Sequence, residues 1–131
     1  AMLQRIGHTV TVAENGQLAL DELRRSNYDL VLMDVQMPVM DGIECTRRIR
    51  RVLGLCKLKL PIIGLTASFQ YSDLEYYQDV VGMNNCLGKP LLVERLKHAI
   101  SSALRHAATQ QPPSRLPAPV KATRDASYRP S

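Results

Sequence analysis

The run Leu30-Val31-Leu32-Met33, closed by Asp34, constrains this chain more than any other stretch. Four apolar residues without polar alternation suit a strand buried on both faces, because a half-exposed strand would alternate. A loop holding Pro38 follows, and Asp41-Gly42 opens a helix with Asp41 in the capping position. Strand, loop and helix make half of a βαβ unit. In an open parallel sheet, ligands and chemistry gather outside the carboxyl ends of the strands. Asp34 is expected there. Asp41 already caps the helix, which leaves the Asp34 carboxylate available for chemistry.

The rest of the chain repeats the pattern. Thr9 to Ala13 is short and β-branched and reads as a strand. Asn15-Gly16 turns the chain into a helix over 17–26, with Ala19, Leu20 and Leu23 inward. A helix over 41–52 places Ile43, Thr46, Ile49 and Val52 on one face, and Arg47, Arg48, Arg50 and Arg51 read as its solvated side. PIIGLTA is a strand from Pro61 to Ala67. A helix over 70–81 stops at Gly82, a strand over 84–88 runs into Lys89-Pro90, and a long amphipathic helix covers 91–106. The opening AMLQRIGH reads as the end of a helix stopped by Gly7. Strands alternating with helices imply an α/β fold with a parallel sheet covered on both faces.

A chain of 131 residues suffices for one domain. No apolar run reaches the length of a membrane span, and no secretory pattern opens the chain. Cys45, Cys56 and Cys86 form neither a disulfide framework nor a metal-ligand spacing, which points to a reducing, cytoplasmic compartment. The net charge of +5 is uneven. Up to Ala108, 13 Lys and Arg nearly balance 11 Asp and Glu; beyond it, Arg115, Lys121, Arg124 and Arg129 face only Asp125. A basic tail over 109–131, rich in Pro, Ser and Ala, is expected to be disordered, and no nucleic-acid surface is implied.

Three strands end in residues fit for chemistry: Asp34, Thr66 and Lys89. A carboxylate nucleophile, a hydroxyl donor and an ammonium together suit a phosphoryl group. Asp34 within MDVQMPVMDG, Thr66-Ala67-Ser68 after an apolar strand, and Gly88-Lys89-Pro90 before the last helix resemble the receiver domain of two-component response regulators. GMNNCLGKP and VTVAENGQLAL resemble in particular the receivers of hybrid sensor histidine kinases. The likeness spans residues 2–106.

The resemblance implies a flavodoxin-like, doubly wound parallel sheet of order 2-1-3-4-5. It implies that Asp34 is the phosphoacceptor of a phosphorelay, charged from the phosphohistidine of a histidine kinase or a histidine phosphotransfer protein. It makes Lys89 the phosphoryl-contacting cation and Thr66 the switch hydroxyl. Asp34 and the backbone carbonyl of Gln36 become Mg²⁺ ligands, and a cis bond precedes Pro90. Helix 70–81 and strand 84–88 would move on phosphorylation. The module is then a signalling domain rather than an enzyme, whatever its parent kinase does, and it makes no membrane contact.

The sequence also departs from the family. No strand ending in a pair of acids precedes Thr9. The expectation is an incomplete receiver over 1–108, with strand 1 missing and four strands remaining. The metal site lacks its acid pair, with Glu14 as a substitute candidate against the plainer reading of a turn acid. Such a chain is expected to be marginally stable and to be a fragment of a longer protein. Cys86 stands where the family often has a switching aromatic. Two other functions follow from these departures. One is a pseudo-receiver, an interaction module that takes no phosphate. The other is an aspartyl phosphatase, against which Gln36 argues, because that class needs a second acid at this position.

Overall fold

The computed structural model describes residues 10–57, 59–109 and 120–123. The helix end read at the N-terminus lies outside them. Strand β1 (Val10–Ala13) leads to helix α1 (Gly16–Arg25) and strand β2 (Leu30–Asp34). Helix α2 (Gly42–Arg51) and strand β3 (Ile62–Thr66) follow. Helix α3 (Tyr71–Glu75) runs directly into a π-helical turn, Tyr76–Val81. Strand β4 (Asn85–Gly88), helix α4 (Val93–Thr109) and strand β5 (Val120–Thr123) complete the described chain. Every strand pairing is parallel, and the sheet order is β1-β5-β2-β3-β4. This is a flavodoxin-like α/β fold.

Helix starts follow from local chemistry. The Asn15 side chain accepts a hydrogen bond from the Leu18 amide at 3.0 Å, and Asp41 accepts one from the Glu44 amide at 2.9 Å. Each satisfies an amide that the first turn leaves without an intrahelical partner. Arg24 and Arg25 close α1 beside its negative dipole end. Gly82, at φ 101°, stops the π-helical turn in the left-handed region.

The unalternating run in β2 is explained by two cores. Val31 and Met33 pack with Ala19, Leu20, Leu23, Cys45 and Ile49 of α1 and α2. Leu30 and Leu32 join Ile63 and Leu65 against Leu96, Ala99 and Ile100 of α4. Both faces of the strand are therefore dry, and Leu30 to Met33 are 0% exposed.

Three expectations are corrected. Five strands are present instead of four, because Val120–Thr123 pairs with both β1 and β2. That segment falls within the stretch read as a disordered tail; Thr109 ends α4, and the rest of the tail lies outside the described residues. Its place in the sheet is that of the first strand in the order 2-1-3-4-5. Strand periodicity could not reveal it, because VKAT is too short and carries a lysine. Val52 caps the end of α2 and is 66% exposed, so the helix buries Cys45, Thr46 and Ile49 without it. Arg50, read as solvated, turns inward. Among the described residues no helix is long and apolar enough to cross a membrane.

Candidate functional site

Parallel pairing brings the strand ends together. Asp34 lies in register with Leu65, and Thr66 with Gly88. The carboxyl ends of β2, β3 and β4 thus form one edge, with Asp34, Thr66 and Lys89 along it. Asp34 is 7% exposed. Its Oδ1 accepts the Gln36 amide at 3.1 Å, and its Oδ2 accepts the Lys89 ammonium at 3.3 Å. A buried carboxylate needs such partners, because burial without them disfavours its charge. Lys89 is carried to this edge by the bond from its amide to the Thr66 carbonyl at 2.8 Å. The Lys89–Pro90 peptide is cis.

Thr66 is buried, and its Oγ1 accepts the Ser68 amide at 3.3 Å. The structure therefore gathers the three side chains singled out from the sequence. Gln36 presents its amide to Asp34 and is otherwise exposed. Glu14 is exposed just beyond the end of β1.

The helix after β2 approaches the site closely. The Gly42 amide donates to the Val35 carbonyl at 2.9 Å. A Cβ on Gly42 would stand 2.2 Å from the Asp34 carbonyl oxygen. Any side chain there would push α2 away from the acid, so the glycine of the D-G pair sets how close the helix comes.

Two residues take places near the site and the sheet that their sequence positions did not assign to them. Tyr77 lies on the π-helical turn, and its phenol interacts with the Thr66 side chain. Burial pushes that phenol up from its ordinary range, helped by the neighbouring Cys86 and Asp73. The strand position that lacks an aromatic, Cys86, is buried behind it. Burial, then the charge of Asp73, pushes the Cys86 thiol up to about 12. No spacing in the sequence ties Tyr77 to Thr66; the tie depends on where α3 packs.

The second is Arg50. Its Nε donates to the Gly82 carbonyl at 2.8 Å, Nη1 to the carbonyls of Leu55 at 3.0 Å and Leu60 at 2.6 Å, and Nη2 to Asn84 Oδ1 at 3.0 Å. Asn84 passes the network on to the Ile62 amide at 2.9 Å and the Lys57 carbonyl at 3.2 Å. Burial lowers the guanidinium to about 10, which leaves it charged at neutral pH.

The donor set for a divalent cation is short. Asp34 supplies a carboxylate, and the Gln36 carbonyl is the further oxygen that the resemblance assigns. Among the described residues no group of three His, Cys, Asp or Glu could hold a metal ion. A Mg²⁺ ion takes six oxygens in near-octahedral geometry, usually with one or two carboxylates. The described residues do not by themselves fit a resident Mg²⁺.

Fold and site define a class: a doubly wound α/β domain with a carboxylate, a hydroxyl and an ammonium converging at the carboxyl edge. The response regulator receiver domain family matches residues 1–101, and the chain belongs to that family. It is 38% identical over 109 residues to hybrid signal transduction histidine kinase K of Dictyostelium discoideum, covering 79% of this chain and 9% of that protein. It is 41% identical over 99 residues to the sensor protein EvgS of Escherichia coli K12, covering 76% of this chain and 8% of that one. The chain thus spans about a tenth of the curated relatives it matches. Among solved structures, chemotaxis protein CheY4 of Vibrio cholerae superposes with a TM-score of 0.69 at 30% identity, covering 79% of this chain and 83% of that one. The receiver domain of a sensor histidine kinase from Pseudomonas aeruginosa, described with a magnesium ion coordinated in its active-site cleft, gives 0.67 at 33% identity, covering 79% and 83%.

Proposed function

We propose that this chain is a phosphoacceptor module that takes a phosphoryl group on Asp34 from a phosphohistidine. The observation that carries the reading is the ion pair of Asp34 with Lys89 at 3.3 Å, on the edge that also holds Thr66. An Asp34 oxygen attacks phosphorus; the P–O bond forms as the P–N bond of the donor breaks. Lys89 turns from the carboxylate to the incoming phosphoryl oxygens and offsets their charge. Thr66 exchanges its contact with the Ser68 amide for one to a phosphoryl oxygen, and Tyr77 follows it. The donor is a histidine kinase or a histidine phosphotransfer protein, by analogy with the relatives.

Exposure to acetyl phosphate with Mg²⁺ should add one phosphoryl group to the protein by mass spectrometry. Asp34→Ala should abolish the gain, and hydroxylamine should remove it from the wild type, as expected of an acyl phosphate. A wild type that gains nothing, and shows no change in its amide spectrum with beryllofluoride, rejects the reading. The alternative is then a pseudo-receiver that binds partners without phosphorylation. The observation favouring that alternative is the thin donor set around Asp34 among the described residues.

A further inference from the structure

Helix α2 and the π-helical turn are tied together by Arg50, whose Nε donates to the Gly82 carbonyl at 2.8 Å. Gly82 permits the approach, since a Cβ there would already stand 3.1 Å from Arg50 Cγ. Beside this tie lies an open groove of about 430 Å³. It is lined by Glu44, Arg47, Arg48, Arg51 and Val52 from α2 and its C-terminal cap, and by Val80 from the turn. Three arginines thus meet one glutamate, and that glutamate already engages Arg48 at 3.1 Å. Among the described residues, Arg47 and Arg51 have no carboxylate partner. Val52 is 66% exposed and Val80 58% exposed, so an apolar pair from two elements stands open between guanidinium groups. A face that only meets water would carry polar residues at those two places.

We infer that this groove docks an acidic segment of a protein partner, with an apolar side chain set between Val52 and Val80 and carboxylates over Arg47 and Arg51. The charge is complementary in kind as well as sign. Every cation lining the groove is an arginine, whose planar fork grips a carboxylate with two parallel hydrogen bonds and sheds water more easily than an ammonium. Arginine is enriched in protein interfaces and lysine is depleted there. The valines supply the desolvated contact that gives affinity, and the arginines steer the approach and select the partner's sign. A phosphate backbone would use the arginines and leave the valines uncovered. The volume admits a few side chains of a segment. Because Arg50 fixes the two walls, the groove is formed before the segment arrives, which lowers the ordering cost of binding. The inference does not depend on whether Asp34 accepts a phosphoryl group.

The test uses the full chain and a dye-labelled peptide in which glutamates flank two leucines. Fluorescence anisotropy reads the affinity, and amide spectra map the contact. Binding should shift the amides of Arg47–Val52 and Val80 more than those of the other helices. Arg47→Glu combined with Arg51→Glu should weaken it at least about tenfold. Val52→Ser combined with Val80→Ser should weaken it by about tenfold as well, through loss of the apolar contact. Should either double variant fail to fold, the wild type decides with altered peptides: serines in place of the leucines should cost about tenfold, and lysines in place of the glutamates should abolish binding. No binding of the acidic peptide would overturn the inference and leave a solvated face. Equal binding of the leucine and serine peptides would overturn it too, since charge attraction alone would then account for the contact. So would tighter binding to phosphatidylserine vesicles or to a DNA duplex than to the acidic peptide.

Discussion

Cysteine 86 illustrates how one residue can be legible in kind and not in surroundings. The sequence marks it as a small apolar residue in a strand, and it is indeed buried. Its neighbours come from other elements, Asp73 from α3 and Tyr77 from the π-helical turn. The thiol is raised from 9.0 to about 12, so the native state holds the proton more tightly than the unfolded chain does. The stability this contributes is complete below pH 9.0 and is lost as pH rises through about 12. Two measurements check this. Urea midpoints should fall over that alkaline window less steeply in Cys86→Ala than in the wild type. Iodoacetamide at pH 8 should modify exposed Cys56 long before Cys86 in the native protein. Asp34 shows the opposite case. Its place beside Lys89 could be anticipated, because strand direction alone carries both residues to one edge.

At the scale of elements, Arg50 decides how the parts sit. It joins α2 to the loop before β3 and to the residues after the π-helical turn through four hydrogen bonds. Helical spacing placed it among four arginines and could not distinguish it from the others. The difference is that Arg47, Arg48 and Arg51 line an open surface with Val52 and Val80, whereas Arg50 meets carbonyl oxygens left over where chain segments end. Arg50→Met should cost about 3 kcal/mol in urea unfolding, because several acceptors lose their donor at once. Arg50→Lys should recover only part of this, since a single ammonium cannot reproduce the planar fork. The same network holds Gly82 and Asn84 at the junction between the π-helical turn and β4. Loosening it should therefore also broaden the amide signals of Tyr76–Val81.

For the whole molecule, the arrangement of the sheet sets a hierarchy of stability. β1 has a single strand neighbour, β5, which is itself short. β2 lies between β5 and β3 with both faces covered. Amides of β1 should exchange at least about tenfold faster than those of Val31–Met33, measured on the native protein at neutral pH. Equal protection would mean that β1 and β5 are as firmly built as the centre. This arrangement also bears on the expectation of marginal stability. The sheet position left vacant in the sequence reading is filled, so the backbone groups of β1 and β2 there have partners.

The sequence by itself determined the alternation of strands and helices, the cap at Asp41, and the convergence of Asp34, Thr66 and Lys89. These follow from short-range rules: apolar period, capping chemistry and strand polarity act within a few residues or through the direction of a parallel sheet. Only the tertiary structure decided that Val120–Thr123 is a strand, that Arg50 is buried, and that Tyr77 meets Thr66. Each depends on groups distant in the chain. A four-residue segment with a lysine has no period of its own to read, and becomes a strand because two neighbours offer it unpaired backbone. An arginine becomes a hub because carbonyls from several chain segments meet at its tip. The stretch LVLMD bridges the two: its lack of alternation announced burial on both faces, and the fold supplied α1 and α2 for one face and α4 for the other.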